Sequence, residues 1–211
     1  MCGRYGRRSD KQRIAETFHA AVDVSELYLA PNDDISPGTF QPVVRVNDEG
    51  QRSLEAMYWG FKLPTRFVFN ARSDSLLKNG LWKAAFEERR CIVPADSFFE
   101  WVRIHKRDNP KYEITVPGRA PFGMAGIWSL WKNPKDCTSL PTVAIITTES
   151  NESMAAIHDR QPAILEPREY EEWLAPSERP PLHLLRVLPL EEMDIRLMET
   201  HSMQLPLDSA W

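Results

Sequence analysis

Cys91-Ile92-Val93-Pro94-Ala95-Asp96-Ser97-Phe98-Phe99-Glu100-Trp101 is the stretch from which the fold class follows. Cys91 to Val93 and Phe98 to Ile104 are short runs dense in β-branched and aromatic residues, and they read as two consecutive strands. One carboxylate, Glu100, stands among three aromatics, Phe98, Phe99 and Trp101. A glutamate there is hard to explain as solvated surface, although a sheet with one wet face allows it. In an apolar strand, desolvation raises a carboxyl pKa toward a value useful in acid–base chemistry.

Working outward, Tyr112 to Val116 and Thr142 to Thr147 are further strands, with Lys106 to Asn109 as a hairpin turn. Ser150 or Asn151 caps a helix reaching about Ile157, and Pro167 at its first position opens another through Trp173. Upstream, Leu81 to Arg89 suits a helix and Phe67-Val68-Phe69 a strand. Val43 to Val46, the turn Asn47-Asp48-Glu49-Gly50 and Ser53 to Trp59 form a β-hairpin. Leu27 to Pro42, punctuated by Pro31, Pro37 and Pro42, reads as an extended loop. Ser9 and Gln12 make a capping box for a helix over about residues 10–20, with Ile14, Ala15 and Phe18 as its apolar face. There are no repeats and no low-complexity linker. The expectation is a single α+β domain over residues 1–211, rich in antiparallel strands.

With 211 residues, 42% of them apolar, and seven tryptophans, the chain is large enough for a substantial core. No apolar run approaches a membrane span, and the N-terminus is too polar and arginine-rich for a signal peptide. Cys2, Cys91 and Cys137 are odd in number and lack CxxC spacing. That argues against a disulfide framework or a zinc site and for a reducing compartment, so a cytoplasmic location is expected. The net charge of −4 speaks mildly against nucleic acid. Its distribution does not: residues 1–110 hold 17 Lys+Arg against 15 Asp+Glu, net +2, and residues 111–211 hold 9 against 15, net −6.

Three further segments can carry chemistry. In Met1-Cys2-Gly3-Arg4-Tyr5, trimming of Met1 leaves a free amine and a thiol on Cys2. A 1,2-aminothiol condenses with an aldehyde to an imine and closes as a thiazolidine; the same pair can instead run N-terminal-nucleophile hydrolysis. Gly3 lets the backbone turn behind the nucleophile, and Arg4 sets a fixed cation beside it. Taken alone, these five residues are more simply an ordinary terminus. In Phe69-Asn70-Ala71-Arg72, an extended chain projects Asn70 and Arg72 together, an amide beside a guanidinium that suits a phosphate-bearing ligand. In Ile157-His158-Asp159-Arg160-Gln161-Pro162, a lone histidine at a helix end is more often structural than catalytic.

In this order, the segments resemble the SOS-response-associated peptidase (SRAP) family. Its members begin Met-Cys-Gly-Arg-Tyr/Phe, matched by Met1 to Tyr5, and continue with a Trp-Gly segment, here Tyr58-Trp59-Gly60. Asn70 to Asp74 matches the family's Asn-Ala-Arg-Ser/Ala-Glu/Asp. Arg89 to Trp101 matches Arg-Arg-Cys-Leu/Ile-Val-Pro-Ala-Asp-x-Phe/Tyr-Tyr/Phe-Glu-Trp, and Ile145 to Pro162 matches a Thr-Thr strand leading to Ile-His-Asp-Arg-Met-Pro.

The resemblance implies an antiparallel, barrel-like β-sheet with flanking helices. It also implies a monomer that senses abasic sites in single-stranded DNA and crosslinks to them through Cys2 in the SOS response, with crosslinking or lyase-type activity and no cofactor or metal. The alternative is a cysteine peptidase or amidase using the same Cys2, including self-removal of Met1. Under the preferred reading Cys2 is the nucleophile, Asn70 positions the opened sugar, Glu100 is the acid–base group and His158 a second proton-transfer residue. Arg4 and Arg72 hold phosphates, Thr147 helps by hydrogen bonding, and Trp59 joins the DNA contacts. The chain departs from the pattern after Gly60, where Phe61-Lys62-Leu63-Pro64-Thr65-Arg66 replaces Leu-Ile/Val-Pro-x-Trp, and at Gln161, where methionine is usual. Residues 182–211 diverge.

Overall fold

The computed structural model describes residues 2–22, 30–104, 109–132, 138–177 and 179–198. The chain begins with β1 (Tyr5–Arg7), α1 (Lys11–Phe18), β2 (Ala21–Val22), β3 (Asn32–Ile35), β4 (Phe40–Val46) and β5 (Arg52–Trp59). It continues through β6 (Phe61–Lys62), β7 (Phe67–Val68), β8 (Asn70–Arg72), α2 (Lys83–Glu88), β9 (Arg90–Ala95), β10 (Ser97–Trp101) and β11 (Lys111–Thr115). It ends with β12 (Phe122–Lys132), β13 (Ser139–Glu149), α3 (Glu152–Ala155), β14 (Arg160–Pro162), β15 (Ile164–Leu165), α4 (Tyr170–Leu174) and β16 (Asp194–Leu197).

β13, β12, β9, β4 and β5 are hydrogen-bonded in that order, and β13 also pairs in parallel with β5, which closes these five strands into a barrel. β8 lies parallel to β13 just beyond β5, with Asn70 opposite Ile145 and Arg72 opposite Thr147. A second, antiparallel sheet runs β16–β11–β10–β1–β3. Barrel and second sheet meet where Pro94-Ala95-Asp96 carries the chain from β9 into β10. The expected α+β fold with a barrel-like, mainly antiparallel sheet is what the chain adopts, and no helix of the described residues is long and apolar enough to cross a membrane.

Strand alternation divides the barrel wall into two apolar sets. Val44, Leu54, Ile92, Ala125, Ala144 and Ile146 pack with Ile14 and Phe18 of α1, Phe86 of α2 and Trp173 of α4. Val43, Met57, Cys91, Val93, Met124, Val143 and Ile145 pack instead with Cys2, Tyr5, Phe98 and Ile114. Each fully buried Val, Leu, Ile, Phe or Met among them contributes about 1.5–3 kcal/mol relative to exposure. The N-terminal residues are thus part of a core.

Several expectations need correction. The helix near residues 10–20 is capped by Asp10, which accepts from the Arg13 N–H at 2.8 Å; Ser9 instead donates to Asp96 at 2.7 Å, so no capping box forms. The part of the proline-rich stretch that is described is two strands, because β4 pairs with β5 and β9 from Phe40 onward and Pro42 stands opposite Ala56 within it. Residues 27–29 of that stretch and 106–108 of the expected turn lie outside the described residues. The strand expected to reach Ile104 ends at Trp101, and the helix expected to reach Ile157 ends at Ala155.

β12, eleven residues long, has no clear signature in the sequence, because Gly123 and Gly126 interrupt its apolar pattern. Crowding explains both glycines. A Cβ on Gly123 would stand 2.7 Å from Ile92 Cγ2, and one on Gly126 would stand 2.9 Å from Cys91 Sγ.

Candidate functional site

Glu113, Asp96 and Ser97 border the path by which the N-terminus enters the fold. Asp96, 7% exposed, accepts from the Arg8 N–H at 2.6 Å, the Ser9 N–H at 2.8 Å and the Ser9 hydroxyl. Its own N–H donates to the Gly6 carbonyl at 2.8 Å. β1 then pairs with β10, Tyr5 opposite Phe98 and Gly6 opposite Ser97, and the Phe99 N–H donates to Arg4 O at 2.9 Å. Continuing that register brings Gly3 opposite Glu100.

Both Gly3 and Glu100 line a cleft of about 880 Å³, together with Arg4, Phe69, Arg72, Trp101, Arg103, His158, Asp159 and Arg160. Beside it Cys2 is fully buried, its thiol 3.7 Å from Arg4 O, and its carbonyl accepts from the Asn70 side-chain amide at 2.8 Å. Alternation along β8 explains Asn70: Ala71 packs on the helix side of the wall, so Asn70 and Arg72 turn toward the Cys2 side. The same rule on β13 turns Thr147 to the side of Val143 and Ile145. Asn70 Oδ1 and Thr147 Oγ1 are buried there and have no hydrogen-bond partner among the described residues.

The electrostatics follow from burial. Burial pushes the Glu100 carboxyl up to about 7, with Asp159 adding to the rise, so at neutral pH it is available in both acid and base forms. Burial also pushes the Cys2 thiol up, and the Glu100 carboxylate adds to that. His158 moves the other way: burial lowers its pKa, and nearby Arg103 also disfavours the imidazolium. Its Nδ1 lies 3.0 Å from the Arg160 N and 2.9 Å from an Asp159 carboxylate oxygen, within reach of both a donor and an acceptor. Among the described residues no three His, Cys, Asp or Glu side chains converge as a metal site.

Of the four arginines lining the cleft, Arg4, Arg72 and Arg160 face carboxylates. Arg4 bonds Asp34 at 2.6 Å, and Arg72 forks onto Asp74 at 3.1 and 3.4 Å. Arg160 is buried, donates to Thr147 O, and lies 3.7 Å from the same Asp74.

The structure therefore brings Cys2, Asn70, Glu100, His158, Arg4 and Arg72 to one cleft and its floor, with Thr147 behind. Trp59 does not belong with them as a contact residue. It is 1% exposed, its indole N–H donates to Phe69 O at 2.9 Å, and its ring packs on Tyr5 with centroids 5.2 Å apart. No face of it remains for a ligand; it supports the strand that leads to Asn70. Sequence reasoning missed the part played by Arg160, Asp96 and Gln161. The first is adjacent in sequence to the histidine segment and was the easiest to find. Gln161 holds Asn151 and Leu188 with its side chain, at 3.1 and 3.2 Å, and so ties residues after α4 to the helix preceding His158.

Comparison with known proteins bears on the family and the fold. Residues 1–204 match the family model described as SOS response associated peptidase (SRAP). The chain is 30% identical to the abasic site processing protein YoqW of Bacillus subtilis, covering 96% of this chain and 93% of that protein. It is also 30% identical to the abasic site processing protein HMCES of Xenopus tropicalis, covering 81% of this chain and 62% of that one. A crystal structure of a protein from Bacteroides thetaiotaomicron superposes with a TM-score of 0.84 at 26% identity, over 94% of this chain and 92% of that one.

Proposed function

This chain belongs to the SOS response associated peptidase family, and on that premise we propose that it captures abasic sites in single-stranded DNA as a covalent adduct on Cys2. One observation carries the reading. A carboxyl held near 7 stands opposite Gly3 at the cleft floor, while Asn70 grips the carbonyl of Cys2.

The order of bond formation follows from the burial of Cys2. A thiol pushed up by its surroundings supplies little thiolate at neutral pH. After removal of Met1, the Cys2 amine therefore attacks the aldehyde of the ring-opened sugar first. Glu100, as acid, protonates the carbinolamine hydroxyl; water leaves and the imine forms. The thiol then adds to the imine carbon and its proton passes to the nitrogen, closing the thiazolidine with a net loss of one water. In this reading Asn70, whose Oδ1 is left without a partner, engages the opened sugar, Thr147 supports it from behind the cleft, and His158 is the second proton-transfer residue. Arg4 and Arg72 hold the flanking phosphates.

The test incubates purified protein with single-stranded DNA bearing one abasic site, followed by a denaturing gel. We expect a denaturation-resistant adduct, an intact mass lacking Met1, and loss of the stable adduct in Cys2→Ala. An active, crosslinking protein that retains Met1 would overturn the amine-first route.

A further inference from the structure

Three of the four arginines that line the cleft, Arg4, Arg72 and Arg160, already face carboxylates. Arg4 is bound to Asp34 at 2.6 Å, and a single carboxylate, Asp74, faces both Arg72 at 3.1 Å and Arg160 at 3.7 Å. A carboxylate flanked by two guanidinium groups occupies the arrangement in which arginines take a phosphate, since both anions use the same planar fork. Asp34 and Asp74 are about half exposed, so they are not buried supports for the fold. The Arg72 fork holds the Asp74 carboxyl below its ordinary range, so it stays ionised at neutral pH. With a net charge of −4, the chain has no general attraction to DNA to offset this pairing.

We propose that Asp34 and Asp74 determine specificity: they occupy the guanidinium donors that a DNA phosphate needs, and so keep undamaged strands weakly bound. This inference rests on the proposed function. A passing strand must displace two carboxylates before its phosphates reach the arginines, and with no aldehyde nothing further holds it. A strand with an abasic site meets the same opposition, but the covalent step makes its capture persist. Exposed ion pairs are weak enough for a phosphate to exchange with them, so the carboxylates lower affinity without closing the cleft.

The experiment compares the unmodified chain with Asp34→Asn, Asp74→Asn and the double variant. Each is titrated with an undamaged single-stranded oligonucleotide and assayed for adduct on a matched strand containing one abasic site. Asp74→Glu keeps the charge in place. Glu49→Gln, in the exposed β4–β5 turn and outside the cleft, removes one negative charge elsewhere.

Each Asp→Asn change should tighten undamaged-strand binding about two- to fivefold, and the double variant about tenfold. The salt dependence should steepen by roughly 0.7 in log K per log salt for each additional phosphate that the freed arginines bind. Asp74→Glu and Glu49→Gln should bind like the unmodified chain. Unchanged or weaker binding by the double variant overturns the inference, as does an equal tightening in Glu49→Gln. Failure of the unmodified chain to form an adduct strikes the proposed function instead, and the titration reads that case separately.

Discussion

The floor of the cleft and its rim are built on opposite physical principles, although they face the same space. On the floor and just behind it, Glu100 and Asn70 are 4% and 6% exposed, and Cys2 and Thr147 are fully buried. On the rim, the side chains of Arg4 and Arg72 are 39% and 56% exposed and paired with carboxylates in water. Burial on the floor raises the Glu100 and Cys2 pKa values and fixes positions through packing and the β1–β10 register. Exposure on the rim leaves charges screened, exchangeable and individually weak. Under the proposed function, the floor serves bond making and proton transfer, and the rim a reversible choice of strand. Changes to the floor should therefore appear in rates and stability, and changes to the rim in affinity and salt dependence.

The strongest test of that division is Glu100→Gln. It should slow adduct formation by roughly 10²–10⁴-fold, the usual range for a positioned acid–base group, while strand affinity stays nearly constant. Single-turnover capture kinetics beside a binding titration would show it. A variant that crosslinks at the unmodified rate would leave the floor without its acid–base group.

Asp96→Ala comes next. It leaves the Arg8 N–H, Ser9 N–H and Ser9 hydroxyl without their buried acceptor, at a cost of about 2–4 kcal/mol in denaturant unfolding. Because these bonds hold the segment that delivers Cys2, capture should slow by more than the loss of folded protein accounts for. If capture per folded molecule is unchanged, the delivery of Cys2 does not depend on this clamp.

Glu100 also makes stability depend on pH with a definite sign. Its folded pKa of about 7 lies above its ordinary 4.5, so between those values the folded state binds more protons than the unfolded one. Stability from this group therefore falls as pH rises through that window. Glu100→Gln should flatten the slope and be more stable than the unmodified chain above pH 7, by on the order of 2 kcal/mol. Thermal melts across the window would check it, and a slope that survives the substitution would point to another group.

The smallest effect belongs to the rim. Arg72→Ala should weaken binding only a few-fold, equally for all sequences, and reduce the salt slope by the share of about one phosphate, ~0.7 on single strands. A loss as large as that of Glu100→Gln would mean that Arg72 acts in the chemistry and that the division between floor and rim fails.

Much of this was legible locally. The β4–β5 hairpin declared itself through alternation and through a turn in which Asn47 Oδ1 accepts the Glu49 and Gln51 N–H groups. Glu100 stood out because a carboxylate amid aromatics needs a reason. The barrel did not declare itself. β12 looks broken by glycine, and the parallel contacts of β13 with β5 and β8 join residues more than seventy positions apart. Such pairings depend on partners supplied by distant chain, which no local pattern encodes.

By itself, the sequence determined the residue types available for the chemistry, the alternation that sets Asn70 and Arg72 on one face, and the family in which their order recurs. These are matters of covalent identity and short-range geometry. Only the tertiary structure decided that Trp59 is core and not contact surface, that Asp96 takes Ser9 away from a helix cap, and that the rim arginines are met by Asp34 and Asp74. Burial and charge pairing depend on what the rest of the chain brings within a few ångströms, and those neighbours exist only once the barrel has closed.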